Sequence, residues 1–437
     1  VDVSLFCNSN IQQRSLVSPE GVTGRQWGFN LFLGRRMFSP SHLAICFGVM
    51  WTEISGIPKA DDSSLPQQPT VLDTPIVKLS VDILQQLNSA SKSKGENILF
   101  SPTNVFKTFL LAYFASAGNT RAQLARALHI GQLAAEQVAH AHRTATRPHQ
   151  SGVLETQRLY LDSSVEVRSE FRALLGEDIE SVDFATDPPG TVDKVNRWTA
   201  DVTNHLIPYI LGESLPRSTR ALLLSAIYFR GRWMTSFNEQ STYEAEFTTA
   251  SGEKVAVDMM WKRKMLPLSE SGVLGSTVLS VPFTDPSCSL VLLLPDSGQS
   301  VGHVVDKLSV DTLSGALGTL GEAEVDLHLP KFNISQEVNL MRVMADLGVT
   351  DLFGELSDLS NLAEEPLQVD GAVQKVALSV TENGTTAAAV AHIKMGPRTI
   401  TFGPVTKLLF DQPFIFIIYN SVLQIPLFMG VLNDPRM

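Results

Sequence analysis

The chain has 437 residues, of which 44% are hydrophobic and 18% charged, and its formal net charge is −11. This composition provides enough apolar side chains for one large or two medium globular domains. The negative charge argues against a nucleic-acid-binding protein, since such proteins concentrate Lys and Arg on one face. No apolar run reaches the roughly 18 residues of a membrane-spanning helix, so no membrane span is expected.

The cysteines are few: Cys7, Cys46 and Cys288. An odd count of three fits neither a disulfide-stapled scaffold nor a zinc site made of closely spaced cysteine pairs. The sequence also contains Asn-x-Ser/Thr sites at Asn333 and Asn383, which predict N-linked glycans if the protein is secreted.

The first 70 residues differ from the rest, because they are irregular and end in a Pro/Ser/Gln-rich linker at 61–70. Within them, two arginines precede Met37, and a run of apolar residues at 43–51 is followed by a polar exit. This order is typical of a secretory signal peptide and predicts a signal-like segment at 37–60, with Met37 as the initiator and 1–36 as upstream sequence. An extended arm with one apolar anchor is the alternative.

From Thr74 onward, apolar residues recur with the periods of helices and strands. In chain order the patterns predict a helix at 76–87, a short strand at 97–100, helices at 103–118, 121–129 and 132–147, a strand at 154–161, helices at 168–180 and 191–211, strands at 220–233, 242–267 and 277–295, helices at 301–318 and 336–347, and two strands within 410–431. Ser101 is the expected N-cap of the second helix and Pro102 its first residue. The densest basic run, 262–264, is predicted to be a solvated hairpin turn.

Residues 374–399 combine unusual patterns. Up to Thr381, apolar and polar residues alternate as in a sheet strand, and the polar triplet 382–384 then breaks the alternation. Beyond the break, small or apolar residues share one parity: Thr385, Ala387, Ala389, Ala391, Ile393 and Met395. A solvated loop normally contains more Ser, Pro, Asn and charge. The segment therefore has the pattern of a half-buried strand, but no neighbouring segment of the sequence provides a strand with which it could pair. An ordinary Ala-rich strand or a short helix is the alternative interpretation.

The common catalytic motifs are absent from the sequence: it has no G-x-S-x-G elbow, P-loop, G-x-G-x-x-G or H-E-x-x-H motif. His140, His142 and His149 have no acidic or Cys partner at ligand spacing, and a solvated helix end explains them better than a metal site. We therefore expect no enzyme active site and no metal.

Seven segments, in order along the chain, resemble the serpin family of serine protease inhibitors: 97–102, 180–184, 226–233, 329–332, 347–353, 382–389 and 410–416. The resemblance implies an α+β serpin fold with a large central mixed β-sheet, two smaller sheets and about eight to nine helices. It also implies a single serpin domain at 71–437, preceded by the N-terminal extension 1–70, with an exposed reactive-centre loop at about 382–403.

The resemblance further implies a suicide-substrate mechanism. A target serine protease cleaves the loop, and the freed loop inserts into the central sheet and traps the acyl-enzyme. The hinge of this movement would be Glu382, Asn383, Gly384, Thr385, Thr386, Ala387, Ala388 and Ala389. Counting from the hinge glycine as in the family places the scissile bond at Arg398–Thr399.

Residues Gly396 and Pro397 precede this bond and would contribute to specificity. An arginine suits trypsin-like proteases, including thrombin-like ones, because a carboxylate at the base of their primary pocket forms a bidentate pair with the guanidinium. The expected partner is therefore a trypsin-like serine protease in a covalent complex.

Two positions depart from the family pattern. Ser225 and Gln374 stand where the family commonly has Asn and His, in the shutter beneath the central sheet to which Ser101 also belongs. Ser225 and Gln374 could still form one hydrogen bond, because each side chain can donate and accept. A third departure is Asn383, which replaces a usual acidic residue and creates the glycosylation site beside the hinge.

Some serpins bind heparin through a basic helix, which would fall near 132–147 here. The candidate side chains for glycosaminoglycan binding are Arg143, Arg147, Arg121 and Arg126, and a merely solvated face is the alternative. No other cofactor is expected, and the protein is expected to be a secreted monomer. Segments 101–108 and 281–285 look somewhat like angiotensinogen, but the N-terminal part of the sequence contains no hormone-like decapeptide. A non-inhibitory carrier or peptide-hormone precursor is the alternative function, which the altered Ser225/Gln374 pair and a glycan on Asn383 would favour.

Overall fold

The computed structural model describes residues 70–91, 95–145, 152–212, 215–384 and 404–436, with the backbone alone at 143–145. Apart from its last residue, the predicted extension 1–70 lies outside the described residues, as does the signal-like segment 37–60. The division into an extension and a single domain therefore stays a prediction.

The helices of the described residues are α1 (Asp73–Ser91), α2 (Pro102–Ala115), α3 (Gly118–Ala127), α4 (Ala135–Ala145), α5 (Ser169–Leu175), α6 (Pro188–Val202), α7 (Val301–Lys307), α8 (Val310–Gly318) and α9 (Leu340–Asp346). The strands are β1 (Ile98–Phe100), β2 (Val153–Asp162), β3 (Ile179–Val182), β4 (Ala221–Phe229), β5 (Tyr243–Thr248), β6 (Lys254–Ser271), β7 (Ser276–Pro282), β8 (Cys288–Pro295), β9 (Gly321–Pro330), β10 (Phe332–Asn339), β11 (Gly371–Val380), β12 (Thr406–Leu409), β13 (Phe414–Asn420) and β14 (Ile425–Leu432).

One sheet has five strands in the order β10-β11-β4-β2-β3. Within it, β11 is antiparallel to β10, β4 is antiparallel to β2, and β11 and β4 run parallel to each other. The parallel register pairs Gln374 with Ser225. This sheet is the central mixed sheet that the sequence predicted.

The second sheet has nine strands in the order β1-β14-β13-β8-β7-β6-β9-β12, with β5 also on β6. The two smaller sheets of the prediction are continuous here, because the far end of β6 pairs with β7 over Leu268–Ser271. The α+β class, the central mixed sheet and the expected eight to nine helices are found in the described residues, and the difference from the expected sheets is this junction.

Helix α2 lies between the two sheets and packs against β14 on one side and against β2 and β4 on the other. All of its residues are buried, which explains why its sequence is apolar nearly all round. Ser101 caps it by accepting a hydrogen bond from Asn104 N, and Pro102 is its first residue, as the sequence predicted.

The opposite face of the five-stranded sheet is covered by α6 and the segment after it. Val192 and Val195 of α6 pack with Leu222 and Leu224 of β4 and with Ala377 of β11 in one buried apolar cluster. Strand β4 is buried along its whole length, as its apolar run predicted.

The structure differs from three of the predicted local patterns. The predicted helix at 168–180 ends at Leu175, because Ile179–Val182 pairs with β2. The predicted helix at 301–318 is two helices, since Ser309 forms a capping box with Thr312. The run at 262–264 lies in the middle of the long strand β6, and Lys262 is buried, so the predicted solvated turn was wrong.

Candidate functional site

The candidate site is the turn that ends β11, the described part of the predicted hinge. Thr381 N donates to Gly384 O at 2.8 Å, and Gly384 N donates to Thr381 O at 3.1 Å. The Thr381 hydroxyl donates to the same Gly384 oxygen at 2.8 Å. These bonds form a tight turn that reverses the chain.

Gly384 is the residue at which this turn meets the rest of the molecule. Its φ is +119°, and a Cβ at this position would lie 2.2 Å from Gly231 O and 2.8 Å from Arg232 Cα. The backbone of Gly384 forms an antiparallel bridge with Arg232. A side chain does not fit here, because backbone lies on the other side of the contact.

The hinge turn is supported by the segment that follows β4. Trp233 Nε1 donates to Thr381 O at 2.8 Å, and Phe237 N donates to Glu382 O at 2.9 Å. Trp233 is buried and stacks on Phe283, with ring centroids 4.7 Å apart and planes at 7°. The turn is therefore held by donors whose own positions are fixed by aromatic packing.

Glu382 carries the main charge of the turn and is 6% exposed. Its Oε1 accepts from Thr242 Oγ1 at 2.8 Å and lies 3.2 Å from Lys331 Nζ. Burial by itself raises the pKa of this carboxyl, but backbone and Thr242 hydrogen bonds and the Lys331 ammonium outweigh burial and lower the pKa. Beside it, Asn383 Nδ2 donates to Glu239 Oε1 at 3.2 Å.

The predicted shutter lies beneath the five-stranded sheet, where Gln374 joins β11 to the start of α2. Its Oε1 accepts from Ser101 N at 2.9 Å. Its Nε2 donates to Ser101 O and to Asn104 Oδ1, both at 3.1 Å. Gln374 and Ser101 are fully buried, and the Ser101 hydroxyl donates to Leu427 O of β14 at 2.6 Å.

Sequence reasoning missed Asn104 in this network. Its Nδ2 donates weakly to Thr156 O at 3.4 Å and to Gln157 Oε1 at 3.5 Å, both on β2. The available signal was an amide three residues after the cap of an otherwise apolar helix. Such a side chain, when buried, requires polar partners.

The hydrogen bond that Ser225 and Gln374 could form is not present. The Ser225 hydroxyl is buried and has no hydrogen-bond partner. The physical reason is that both ends of the Gln374 amide are already bonded at the N-terminus of α2, although the two residues are register partners in the sheet.

The remaining predicted hinge and reactive-bond residues lie outside the described residues: Thr385, Thr386, Ala387, Ala388, Ala389, Gly396, Pro397, Arg398 and Thr399. Their roles stay predictions.

Asn333 is exposed on β10, which is an edge strand of the five-stranded sheet, so its amide is open to solvent.

The candidate glycosaminoglycan residues are only partly described. Arg121 lies over the ring of Tyr113 at 4.6 Å and donates to its hydroxyl at 3.4 Å. Arg126 is in the last turn of α3, Arg143 is in α4 with only its backbone described, and Arg147 lies outside the described residues. A basic helix face therefore stays a prediction.

Within the described ranges, no group of three or more His, Cys, Asp or Glu residues is arranged to hold a metal ion. The helices that are described are also too short or too polar to cross a membrane.

A family model described as Serpin (serine protease inhibitor) matches residues 75–435. The chain belongs to the serpin family. Ipis-1 of Ixodes persulcatus is 28% identical over 376 residues, which are 83% of this chain and 99% of the relative. Alpha-1-antitrypsin 1-1 of Mus musculus is 29% identical over 424 residues, covering 94% of this chain and 98% of the relative.

The crystal structure of maspin is also similar to this serpin. Its TM-score is 0.73 at 25% identity, over 83% of this chain and 98% of maspin. A structure described as a tumour suppressing serpin has a TM-score of 0.71 at 24% identity, over 83% of this chain and 99% of that one. These likenesses confirm the fold, and the family as a whole indicates a protease as partner.

The buried ion pair at the hinge gives a prediction. Glu382→Gln should lower the free energy of unfolding at pH 7 by roughly 1–3 kcal/mol, because charge-assisted hydrogen bonds are lost. A carboxyl whose folded pKa is lowered stabilises the fold above its ordinary pKa of 4.5, and this stabilisation is lost as pH falls through the lowered value. The difference from wild type in urea unfolding should therefore shrink below about pH 4.5.

The matched control is Asp258→Asn. Its carboxylate is 3.9 Å from the same Lys331 and its side chain is 67% exposed, so the loss should stay below about 0.5 kcal/mol. Equal losses for the two variants would contradict the importance of the Glu382 pair.

The shutter gives a second prediction. Ser225→Ala removes a buried hydroxyl without a partner, so it should leave the free energy of unfolding unchanged or raise it by about 1 kcal/mol. Gln374→Leu should lower it by at least about 2 kcal/mol, because Ser101 N and the Asn104 amide lose their partner. Urea unfolding measures both; a larger loss for Ser225→Ala than for Gln374→Leu would show that the roles are reversed.

Proposed function

We propose that this serpin is a suicide-substrate inhibitor of a trypsin-like, Arg-specific serine protease, cleaved at Arg398–Thr399. The observation that carries the proposal is the parallel pairing of β11 with β4, together with the reverse turn at the end of β11. A chain that returns from this turn runs antiparallel to β11 and hence antiparallel to β4. It would therefore find a hydrogen-bonding edge on both sides if the two strands separated.

The length of the segment also supports insertion. Arg398 is the fourteenth residue after Gly384 in the sequence. At about 3.3 Å per residue, an inserted strand of this length carries its far end about 46 Å from the hinge. A protease attached at Arg398 as an acyl-enzyme would move by a comparable distance. Strain on its active site would then stall deacylation.

The side chains of the segment fit such a strand. The residues that would face the core share one parity and are uncharged, from Thr385 to Met395. Burying an unpaired charge would cost several kcal/mol, and small side chains avoid overpacking.

Insertion must first break the parallel ladder between β11 and β4, which pairs Gly371–Ala377 with Leu222–Tyr228. Because Gln374 bonds to α2 and not across the ladder to Ser225, this separation breaks backbone bonds but no Ser225–Gln374 side-chain bond. The network on β11 can therefore stay intact while the strands part.

Arg398 sets the proposed target. Pro397 restricts the chain before the bond, and Gly396 makes room for close approach, a combination that suits thrombin-like as well as other trypsin-like proteases. Activation by heparin through the candidate arginines is a secondary part of this proposal, because Arg121 already contacts the hydroxyl and the ring of Tyr113.

We also propose secretion as a monomer. The signal-like segment at 37–60 and the two sequons support secretion. The exposed position of Asn333 on an edge strand agrees with a glycan at that site.

The central experiment is incubation with thrombin, trypsin and related enzymes, followed by denaturing gel electrophoresis. A complex that survives SDS is expected with at least one Arg-specific enzyme. Arg398→Ala should abolish the complex, because the guanidinium is the specificity group. Lys407→Ala, which changes a basic residue on β12, is the control and should leave it intact; retention of the complex in Arg398→Ala would refute this scissile bond.

The insertion step is tested separately by Thr385→Arg. This variant should still be cleaved at the loop but should release active protease, since its charge would have to be buried in the inserted strand. Thr386→Arg, of opposite parity, should keep more of the inhibition. The stoichiometry of inhibition measures both variants, and unchanged inhibition by Thr385→Arg would exclude insertion with this parity.

A non-inhibitory carrier or peptide precursor is the second candidate. One observation favours it: Asn383 Nδ2, where a glycan would be attached, is bonded to Glu239 beside the hinge. A glycan there would replace this bond and crowd the start of insertion. This function predicts rapid loop cleavage by each enzyme, no SDS-stable complex and little gain in thermal stability after cleavage.

A further inference from the structure

Lys262 on β6 lies behind the segment that supports the hinge, and it is 8% exposed. Its Nζ is 4.0 Å from the centroid of the Phe237 ring and 5.4 Å from that of the Trp233 ring. It donates a hydrogen bond to Thr235 O at 3.2 Å. The amine thus lies against two aromatic rings with a neutral backbone acceptor.

The charged groups of the surrounding elements do not supply Lys262 with a carboxylate. The acidic groups are each engaged elsewhere: Glu382 with Lys331 and Thr242, Asp326 with Trp261 and His328, Glu239 with Asn383, Asp258 with Lys331 and Glu324 with Arg263. The basic groups near Lys262 are Arg263 and Lys264 on β6, Arg232 on the segment that follows β4, and Lys331 after β9.

The faces of the two rings attract an ammonium, but a buried ammonium without a carboxylate is costly, and this cost of burial outweighs the attraction and favours the neutral form. Burial, helped by the charge of Lys264, lowers the pKa of Lys262 to about 7. The amine is therefore close to its titration midpoint under physiological conditions, whereas an ordinary lysine is fully charged.

The two rings that cover Lys262 belong to the residues that hold the hinge. Trp233 donates from its indole to Thr381 O, and Phe237 donates from its backbone to Glu382 O. Any movement of the turn away from these donors loosens the residues that exclude water from Lys262. The amine and the turn thus contact the same two residues, the turn through the indole of Trp233 and the backbone of Phe237.

We propose that Lys262 is a positioning residue of the hinge, whose protonation favours separation of residues 381–384 from Trp233 and Phe237. When the turn separates, water reaches Nζ, and the opened form takes up a proton. The neutral amine packs well against the rings and holds the hinge closed. The charged amine favours the opened form.

The sign of the pH dependence follows from the two pKa values. The closed form has a pKa of about 7 and a hydrated lysine has 10.5. Between these values the opened form binds more protons, so the opening equilibrium should increase up to about tenfold for each unit by which pH falls. Below about pH 7 both forms are charged and the dependence should level off.

Hydrogen exchange of the hinge tests this proposal. Exchange of peptides containing 381–384 and 233–237 is measured by mass spectrometry between about pH 7.5 and 9.5 and divided by the intrinsic chemical rate. In the wild type the opening constant should fall steeply as pH rises. In Lys262→Met it should be flat, because the methionine fills the same space without titrating.

Lys264→Met is the matched control, since it removes a neighbouring but exposed lysine of the same strand. It should keep most of the wild-type slope. A wild-type opening constant that does not change with pH, or a slope that persists in Lys262→Met, would overturn the proposal.

A second measurement covers the case in which Lys262→Met does not fold. The wild-type protein is labelled with trace acetic anhydride between about pH 5.5 and 9.5, a range that spans a titration near pH 7 and, at its upper end, the beginning of an ordinary lysine titration, and the labelling of each lysine is read by peptide mapping. Lys262 should titrate near pH 7; titration at the ordinary lysine value would overturn the proposal. Neither measurement uses a protease, so a failure to form the inhibitory complex would be distinguishable from a failure of this switch.

Discussion

The parallel pairing of β11 with β4 is the constraint on which the site depends. Their neighbours on either side, β10 and β2, are antiparallel to them, so the middle of the sheet contains a parallel seam flanked by antiparallel pairs. The reverse turn at 381–384 ends one strand of this seam, and the Gln374 network lies beneath it. On the other face, α6 and the apolar cluster around it cover the same strands. Movement at the seam therefore involves both faces of the sheet.

The polar groups at the seam are distributed unequally. Gln374 is bonded to Ser101 and Asn104 on α2, whereas Ser225 on the other strand has an unpaired hydroxyl. The strand that continues into the hinge is thus tied to the helix beneath it, and its partner is not. In the proposed insertion, the bonds between Gln374 and α2 would therefore stay with β11 when the two strands separate.

Much of the architecture was predictable because apolar periodicity reflects burial. The N-cap at Ser101, the all-buried α2 and the strand β4 follow directly from local sequence. The segment at 176–182 could not be predicted in this way, because Ile179–Val182 becomes a strand only by pairing with β2. Position 262 was mispredicted for a related reason. A Lys-Arg-Lys run is typical of a solvent-exposed segment, but here the run lies in a strand, whose alternation turns Lys262 inward against the rings of Trp233 and Phe237. The hinge segment was identified by resemblance, and its role stays a prediction, whereas the contacts of Lys262 with Trp233 and Phe237 required the tertiary structure.

The contact of Gly384 with residues 231 and 232 is made by main chain on both sides. Most tight contacts in proteins can adapt to a larger residue when a neighbouring side chain is exchanged for a smaller one. At Gly384 no neighbouring side chain can be made smaller, because the atoms that a Cβ would meet are all backbone. Gly231 differs, since a Cβ there would meet the rings of Phe229 and Phe283. Compensating substitutions are consequently closed to Gly384, and sequence drift in the hinge should be absorbed by the residues around it.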